Sequence, residues 1–470
     1  MTSAKTPQDV LSMCRQHDVK SVDLRFTDLM GTPRHLTFPV TRLTEELFED
    51  GVGFDGFSLR AWQAVQESDM LLIPHPDTAY VDPFSQLPML CMTSTVQDPL
   101  TGEAYSCDPR DVAVKASAYL TSTGIADTAY FGPQAEFFIF DDAGFETSGH
   151  NSFYRIDSTS SDRNPEARSI HSFSNPSPSG YESPTPFAAD PMQNVLNAMV
   201  KTMVDVGLKV ASYQREVDAS GQSEVDLQYG EPARVGDSMM TLKYVVKNVA
   251  RAHGKVATFM PKPILGAAGS GMHTHLSLWK NDQPLFAGGG YAGLSDMAIH
   301  AVGGILKHAP ALMAFTNPTT NSYKRLVPEF AAPVDLVYST LDRSAACRIP
   351  MYDHSPGSKR IEFRCPDPTC NPYLSIAALL MAVIDGIAHR IDPGAPYDDA
   401  SGASPQDSPR TPESLARALN ALESDHEFLL TGGVFSEQLI STWISYKREH
   451  DVAIDRSHPT PQEFCQYFDA

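Results

Sequence analysis

Gly269-Ser-Gly271-Met-His273-Thr-His275-Leu-Ser277 reads as a strand whose two faces differ in chemistry. Alternate residues of a strand share a face, so His273, His275 and Ser277 point one way, with Met272 and Leu276 behind them. Three further segments carry the same signature. Gln134, Glu136 and Phe138 share one face of Gln134-Ala-Glu-Phe-Phe-Ile-Phe140. Glu224, Asp226 and Gln228 share a face of Glu224-Val-Asp-Leu-Gln-Tyr229, with Glu216 just upstream across the tight link Ala219-Ser-Gly221. In Arg360-Ile-Glu-Phe-Arg364, Arg360, Glu362 and Arg364 face forward and Ile361 and Phe363 back. Any one of these is most simply the solvated face of an antiparallel sheet.

As a set they mean more. Oxygen ligands from several carboxylates with one imidazole suit hard divalent cations such as Mg2+ or Mn2+. Arg325, Arg343, Arg348, Arg360 and Arg364 would supply the bidentate donors that a transferred phosphoryl group requires. No G-x-x-x-x-G-K-[ST] string exists, so the pattern points to ATP chemistry without a Walker loop. Gly288-Gly-Gly290-Tyr-Ala-Gly293 formally satisfies G-x-G-x-x-G, but it lacks a preceding strand and an acidic partner about 20 residues on. It reads as a glycine-rich turn before a helix.

Around these strands the chain is ordinary for a globular protein. Its 470 residues exceed one small module, and 42% hydrophobic with 20% charged residues is too apolar for disorder. A net charge of -21 repels nucleic acid and anionic lipid, so neither is an expected partner, and an anionic substrate needs a local basic site or metal ions. The seven cysteines stand singly with no C-x-x-C pair, as in a reducing compartment. The N-terminus lacks an apolar signal region, and the apolar run Leu374 to Ile384 is too short to span a bilayer, so a cytoplasmic protein is expected.

Thr6, Pro7 and Asp9 predict a helix to about Gln16, followed by strands at Val22–Phe26 and His35–Phe38. Further helices are predicted from Asp190 to Gly207, Asp237 to Ala252, Ser295 to His308, Pro372 to Ala388, Pro412 to Leu422 and Ser436 to Arg448. Loops are expected over Ser158 to Asp190 and Asp392 to Thr411. The class is α+β, with a small N-terminal domain over residues 1–105 and a larger catalytic domain over 106–470.

The four strands lie in order among Phe54-Asp-Gly56, Glu67-Ser-Asp-Met70, Thr316-Asn-Pro-Thr319, Asn321-Ser-Tyr-Lys-Arg-Leu-Val-Pro328, Arg343-Ser-Ala345, Arg348-Ile-Pro350 and Asn371-Pro-Tyr-Leu374. This collinear set resembles class I glutamine synthetase along nearly the whole chain. The resemblance implies a β-grasp-like N-terminal domain, a catalytic domain with an antiparallel active-site sheet and surrounding helices, and a double-ring dodecamer with active sites between subunits. It implies ATP as co-substrate and two or more Mg2+ or Mn2+ ions per site. Glu136, Glu216 and Glu224 match the ligands of the first metal; His273 and Glu362, with Gln134, match those of the second. Arg325 and Gly269 match the glutamate site, and Arg343 and Arg364 the arginines at the transferred phosphoryl group. Tyr229, His275, Ser277, Arg348 and Arg360 lie where the family binds nucleotide, and Asp55 matches an aspartate that helps deprotonate ammonium from the adjacent subunit.

The resemblance breaks at specific positions. The family's Gly-Pro-Glu-x-Glu is Gly132-Pro-Gln-Ala-Glu136 here, its Asn-Gly-Ser-Gly is Ala268-Gly-Ser-Gly271, and the glutamate of its Val-Pro-Gly-Tyr-Glu-Ala-Pro flap is Ala331. Phe57 replaces a serine near Asp55, and the adenylylation string is absent around Tyr397. Losing a carboxylate and gaining volume at the amine entrance predicts a ligase that joins glutamate, or an analogue, to an amine other than ammonia. The alternatives are an ordinary glutamine synthetase, with Glu329 standing in for the flap glutamate, and a non-catalytic binding or regulatory subunit.

Overall fold

The Thr6 hydroxyl accepts from the Asp9 amide while the Asp9 carboxylate accepts from the Thr6 amide, a reciprocal cap that fixes the start of α1 (Pro7–Gln16). The structure is a computed structural model describing residues 5–56, 69–158, 192–216, 221–328, 331–398 and 408–470. After α1 come β1 (Ser21–Thr27) and β2 (Pro33–Pro39), then α2 (Leu47–Asp50). The strands β3 (Val52–Asp55), β4 (Asp69–Pro74), β5 (Tyr80–Val81) and β6 (Met89–Gln97) complete a six-stranded sheet in the order β2-β1-β6-β4-β3, with β5 on β6. Only β1 and β6 run parallel in it.

α3 (Pro109–Thr123) leads into a nine-stranded sheet. Its strands are β7 (Thr128–Phe140), β10 (Val210–Arg215), β11 (Gln222–Leu227), β12 (Val256–Thr258), β13 (Met272–Lys280), β14 (Gln283–Pro284), β15 (Asp335–Ser339), β16 (Ala345–Arg348) and β17 (Ile361–Phe363). A hairpin of β8 (Asp142–Thr147) and β9 (Ser152–Asp157) stands apart. The path β10-β11-β7-β13-β17-β16-β15 is antiparallel except at β15–β16. All four segments singled out by alternation fall on it, as β7, β11, β13 and β17. Their apolar residues Ala135, Phe137, Val225, Met272, Leu276, Ile361 and Phe363 are buried in the core, and that burial commits the polar residues to the opposite face.

Behind the sheet lie α4 (Gln193–Asp205), α5 (Pro232–Ala252), α6 (Asp296–Thr316), the short α7 (Ser322–Arg325), α8 (Pro372–Ala388) and α9 (Leu415–Ser424). α6 and α8 approach so closely that a Cβ at Gly304 would lie 2.1 Å from the Ala382 carbonyl oxygen. Among the described residues α6 is the one helix long and apolar enough to cross a membrane, and 72% of that window is buried inside the protein.

Some helix bounds differ from expectation. α5 starts five residues earlier, because Pro232 suits a first helical turn that needs no amide donor. α6 runs past His308 and through Pro310, held by burial of Leu312, Met313 and Phe315. α9 begins at Leu415, where the Ser414 hydroxyl accepts from the Arg417 amide. Asp190, Pro191 and most of the two predicted loops lie outside the described residues.

One buried network ties the two sheets together. Arg110 on α3 donates to both oxygens of Asp237 on α5, at 2.9 and 3.0 Å, and to the imidazole of His75 just after β4, at 3.0 Å. The Tyr373 hydroxyl on α8 donates to the same Asp237 at 2.8 Å. Burial and the nearby Arg110 push the His75 pKa down to about 4, so this histidine stays neutral beside the guanidinium.

Candidate active site

The register of the large sheet lines the polar residues into rows. Ser212, Asp226, Gln134 and His273 are successive partners across β10, β11, β7 and β13. Gln214, Glu224 and Glu136 form the next row. His275 on β13 pairs with Glu362 on β17, which pairs with Arg348 on β16. Residues more than 200 positions apart in sequence thereby share one concave face.

Glu136, Glu224 and His273 each offer a ligand atom, and those atoms lie within 4.8 Å of one another. Oε2 of Glu136 is already held by the Gly271 amide at 2.8 Å and the Gln222 side-chain amide at 3.0 Å. Its Oε1 faces Nε2 of His273 at 3.9 Å. Burial and the charge of Glu216 raise the pKa of Glu136; burial and the charges of Glu136 and Asp226 raise that of Glu224. Burial, reinforced by Arg364, holds His273 neutral. Two carboxylates forced together beside a neutral imidazole make a site that a divalent cation relieves and a monovalent side chain does not, so these residues fit the cation expected here. Glu216 lines the same cavity and accepts from Gln214, which also donates to Glu224.

Across this cavity of about 420 Å³ stand Arg325, Arg343, Arg348, Arg360 and Arg364, with Lys262, Gly269 and Ala331. Arg325 is buried and donates to the carbonyls of Cys365 at 2.8 Å and Arg364 at 3.1 Å. A Cβ at Gly269 would sit 2.7 Å from Arg325 Cγ and 2.5 Å from the Pro261 carbonyl oxygen, so the loop passes the arginine only as glycine. Glu362 is clamped by Arg364 at 2.6 Å and Arg348 at 2.9 Å. Burial works to raise its pKa, yet Arg364 and the neighbouring charges hold it well below the carboxylate range.

A second cavity of about 370 Å³ adjoins the first through Gln134, His275 and Arg360. Tyr229 and Ser277 line it, together with Tyr130 and Trp279; Tyr130 packs edge-on against both other rings. Aromatic walls leading to a basic floor suit a nucleobase with its phosphates. Arg348 lines only the cavity with the carboxylates.

One placement differs from what the sequence suggests. Gln134, read as a carbonyl ligand, gives its oxygen to His275 at 3.1 Å. Asp55 is exposed at the end of β3, opposite Asp69, and does not line its own chain's cavity. Phe57 and Glu329 lie outside the described residues. Gln222, Gln214, Tyr130 and Trp279 are additions. Gln222 shares a strand face with Glu224 and Asp226, so period two alone would have included it.

Residues 18–99 match the family described as "Glutamine synthetase, beta-Grasp domain", and residues 106–467 the one described as "Glutamine synthetase, catalytic domain". The chain is 48% identical over 469 residues to the glutamine synthetase of Frankia alni, covering 98% of this chain and 99% of that one. It is 50% identical over 468 residues to that of Aquifex aeolicus, covering 99% of each. Among solved structures, Plasmodium falciparum glutamine synthetase superposes with a TM-score of 0.89 at 26% identity over 99% of both chains. A GmaS/ADP complex superposes at 0.80 with 28% identity over 98% of this chain and 99% of that one.

Proposed function

Since the chain belongs to the glutamine synthetase family, whose members are ATP-dependent ligases that use divalent cations, we propose that it joins ammonia to the γ-carboxylate of glutamate. The observation that carries this reading is the single cavity in which the Glu136–Glu224–His273 cluster faces five arginines and opens into the aromatic-walled pocket. The departures at Ala331 and Phe57 lead from sequence toward a larger amine, but relatives of 48% and 50% identity over their whole length that are named glutamine synthetase weigh toward ammonia.

In this reading Tyr130, Tyr229 and Trp279 hold the base of ATP, and His275, Ser277 and Arg360 lead its phosphates toward the carboxylates. Arg325, preset by two carbonyls, grips the α-carboxylate of glutamate. A γ-carboxylate oxygen attacks the terminal phosphorus, ADP leaves, and Arg343 and Arg364 meet the charge on the transferred group. Ammonia nitrogen then attacks the acyl carbon and phosphate departs, the surplus ammonium proton passing to a carboxylate at the cavity mouth. Glu136, Glu224 and His273 would hold the cation, with Glu216 beside them; when bound, it supplies positive charge to the reacting oxygens. Asp55, exposed on its own chain, serves the cavity of a neighbouring subunit in a homo-oligomer.

A second reading, an amine larger than ammonia, draws on one observation: Ala331 contributes no carboxylate where it lines the cavity. Phosphate release with ATP, Mg2+ and glutamate, compared across ammonia, hydroxylamine, diamines, amino alcohols and aromatic amines, decides between them. Turnover with ammonia and little with the others supports the first reading; the reverse supports the second. No release with any pair overturns both.

A further inference from the structure

Asp398 lies 59 positions beyond Ser339, yet its carboxylate meets the end of β15. The Ser339 hydroxyl donates to Oδ1 of Asp398 at 2.9 Å, the Thr340 amide to the same oxygen at 3.0 Å, and the Tyr291 hydroxyl to the carboxylate at 2.7 Å. The segment that carries Asp398 is stitched to the same strand. The Tyr397 amide donates to the Tyr338 carbonyl at 2.9 Å, and the Tyr338 hydroxyl donates to the Gly394 carbonyl at 3.0 Å. Burial works to raise the Asp398 pKa, but the Tyr291 hydroxyl and the Thr340 amide hold it below its ordinary value, so the acceptor is an anion at neutral pH.

Ser339 is fully buried and passes this contact on. With its hydrogen given to Asp398, its oxygen accepts from the amides of Leu341 at 3.0 Å and Asp342 at 2.9 Å. Those bonds close the turn that leads into Arg343. The Asp342 carboxylate then accepts from the Ser344 amide and hydroxyl, at 2.7 and 2.8 Å, and fixes the far side of it. Both arginines placed at the transferred group depend on this turn. The Arg343 side chain lines the cavity, and the Arg343 carbonyl accepts from Arg364 Nε at 3.0 Å. A shift of the turn therefore moves both guanidinium groups.

We propose that Asp398 is a positioning residue for phosphoryl transfer: through Ser339 it holds the 339–343 turn so that Arg343 and Arg364 are in place before charge develops on the transferred group. Asp398 itself lines neither cavity, so it acts at one remove. Stabilisation by preset donors weakens when their geometry relaxes, even where the donors remain. The inference rests on the phosphoryl step of the proposed reaction and not on which amine is joined.

The test compares Asp398→Ala, Asp398→Asn and Ser339→Ala in the full-length, assembled protein. Phosphate release gives kcat and KM, and binding is measured for ADP with aluminium fluoride, a mimic of the transferred phosphoryl group, beside a non-hydrolysable ATP analogue. Asp398→Ala should lower kcat about tenfold or more, with KM for ATP and for glutamate within about threefold, because the contact serves the transition state rather than the bound substrates. The mimic should weaken by the same factor while the ATP analogue binds as before. Ser339→Ala should reproduce this pattern, and Asp398→Asn, which keeps the Oδ1 acceptor, should recover most of the lost rate. An unchanged kcat in Asp398→Ala, a change in KM alone, or equal weakening of the mimic and the ATP analogue would overturn the proposal. Should Asp398→Ala fail to assemble, an unchanged kcat in Ser339→Ala overturns it instead. A wild type that releases no phosphate with any acid and amine refutes the ligase reading and this inference with it, whereas an active wild type beside an equally active Asp398→Ala refutes this inference alone.

Discussion

Glu136 and Glu224 are direct partners across the β7–β11 ladder, and their ligand oxygens converge with His273 within 4.8 Å. Directly opposed like charges destabilise a sheet. Here the opposition is kept, and burial sharpens it.

Cation binding should therefore release protons. Both carboxylates titrate above the ordinary range, so without a cation the pair holds a proton at neutral pH. The cation competes with that proton, so affinity rises with pH through neutrality, about tenfold per pH unit for each proton displaced. Calorimetry of Mn2+ binding in buffers of different ionisation enthalpy measures the protons released. Affinity that does not change between pH 6 and 8.5 would contradict this.

Gly269→Ala should act on glutamate alone. The new methyl would meet the Pro261 carbonyl and the Arg325 stem, and relieving that overlap displaces the guanidinium. A rise in KM for glutamate of about tenfold or more, with KM for ATP little changed, is the expected split.

Restoring a carboxylate at the flap tests the amine pocket. Ala331→Glu places an acid in the cavity beside Glu216 and Glu224. It should improve kcat/KM for ammonia severalfold and lower it for any uncharged bulky amine. An unchanged ratio would mean that Ala331 does not touch the amine.

Arg110→Ala should be severely destabilising. It leaves Asp237 buried with the Tyr373 hydroxyl and, as its remaining guanidinium, only the half-exposed Arg234 at 4.0 Å, and it removes the His75 contact that ties the N-terminal sheet to α3 and α5. Stranding a buried charge costs about 3–5 kcal/mol. Denaturant unfolding of the variant measures it, and a loss under about 1 kcal/mol would show that the network is not structural.

Asp108 caps α3 and is fully buried, and burial raises its pKa from 3.8 to about 7. The folded state keeps a proton that the unfolded chain releases, so stability falls as pH rises from about 4 to about 7 and is level above. Asp108→Asn keeps a capping oxygen and removes this titration. The melting temperature of the variant should vary less than that of the wild type across that window, and an unchanged profile would rule out Asp108 as its source.

Much of this was written in the sequence. Period-two alternation named the β7, β11, β13 and β17 faces, because a strand buried on one side has no other way to place its polar residues. The collinear strings from Phe54 to Leu374 indicated the family. Periodicity says which face a side chain takes but not which neighbour uses its atoms. Only the assembled sheet puts Gln134 between His275 and His273, turns its oxygen to the first, and sets Arg348 and Arg364 on the two oxygens of Glu362. Hydrogen-bond partners 141 positions apart, as Gln134 and His275 are, are fixed by strand register and packing, and those are properties of the whole sheet rather than of any segment in it.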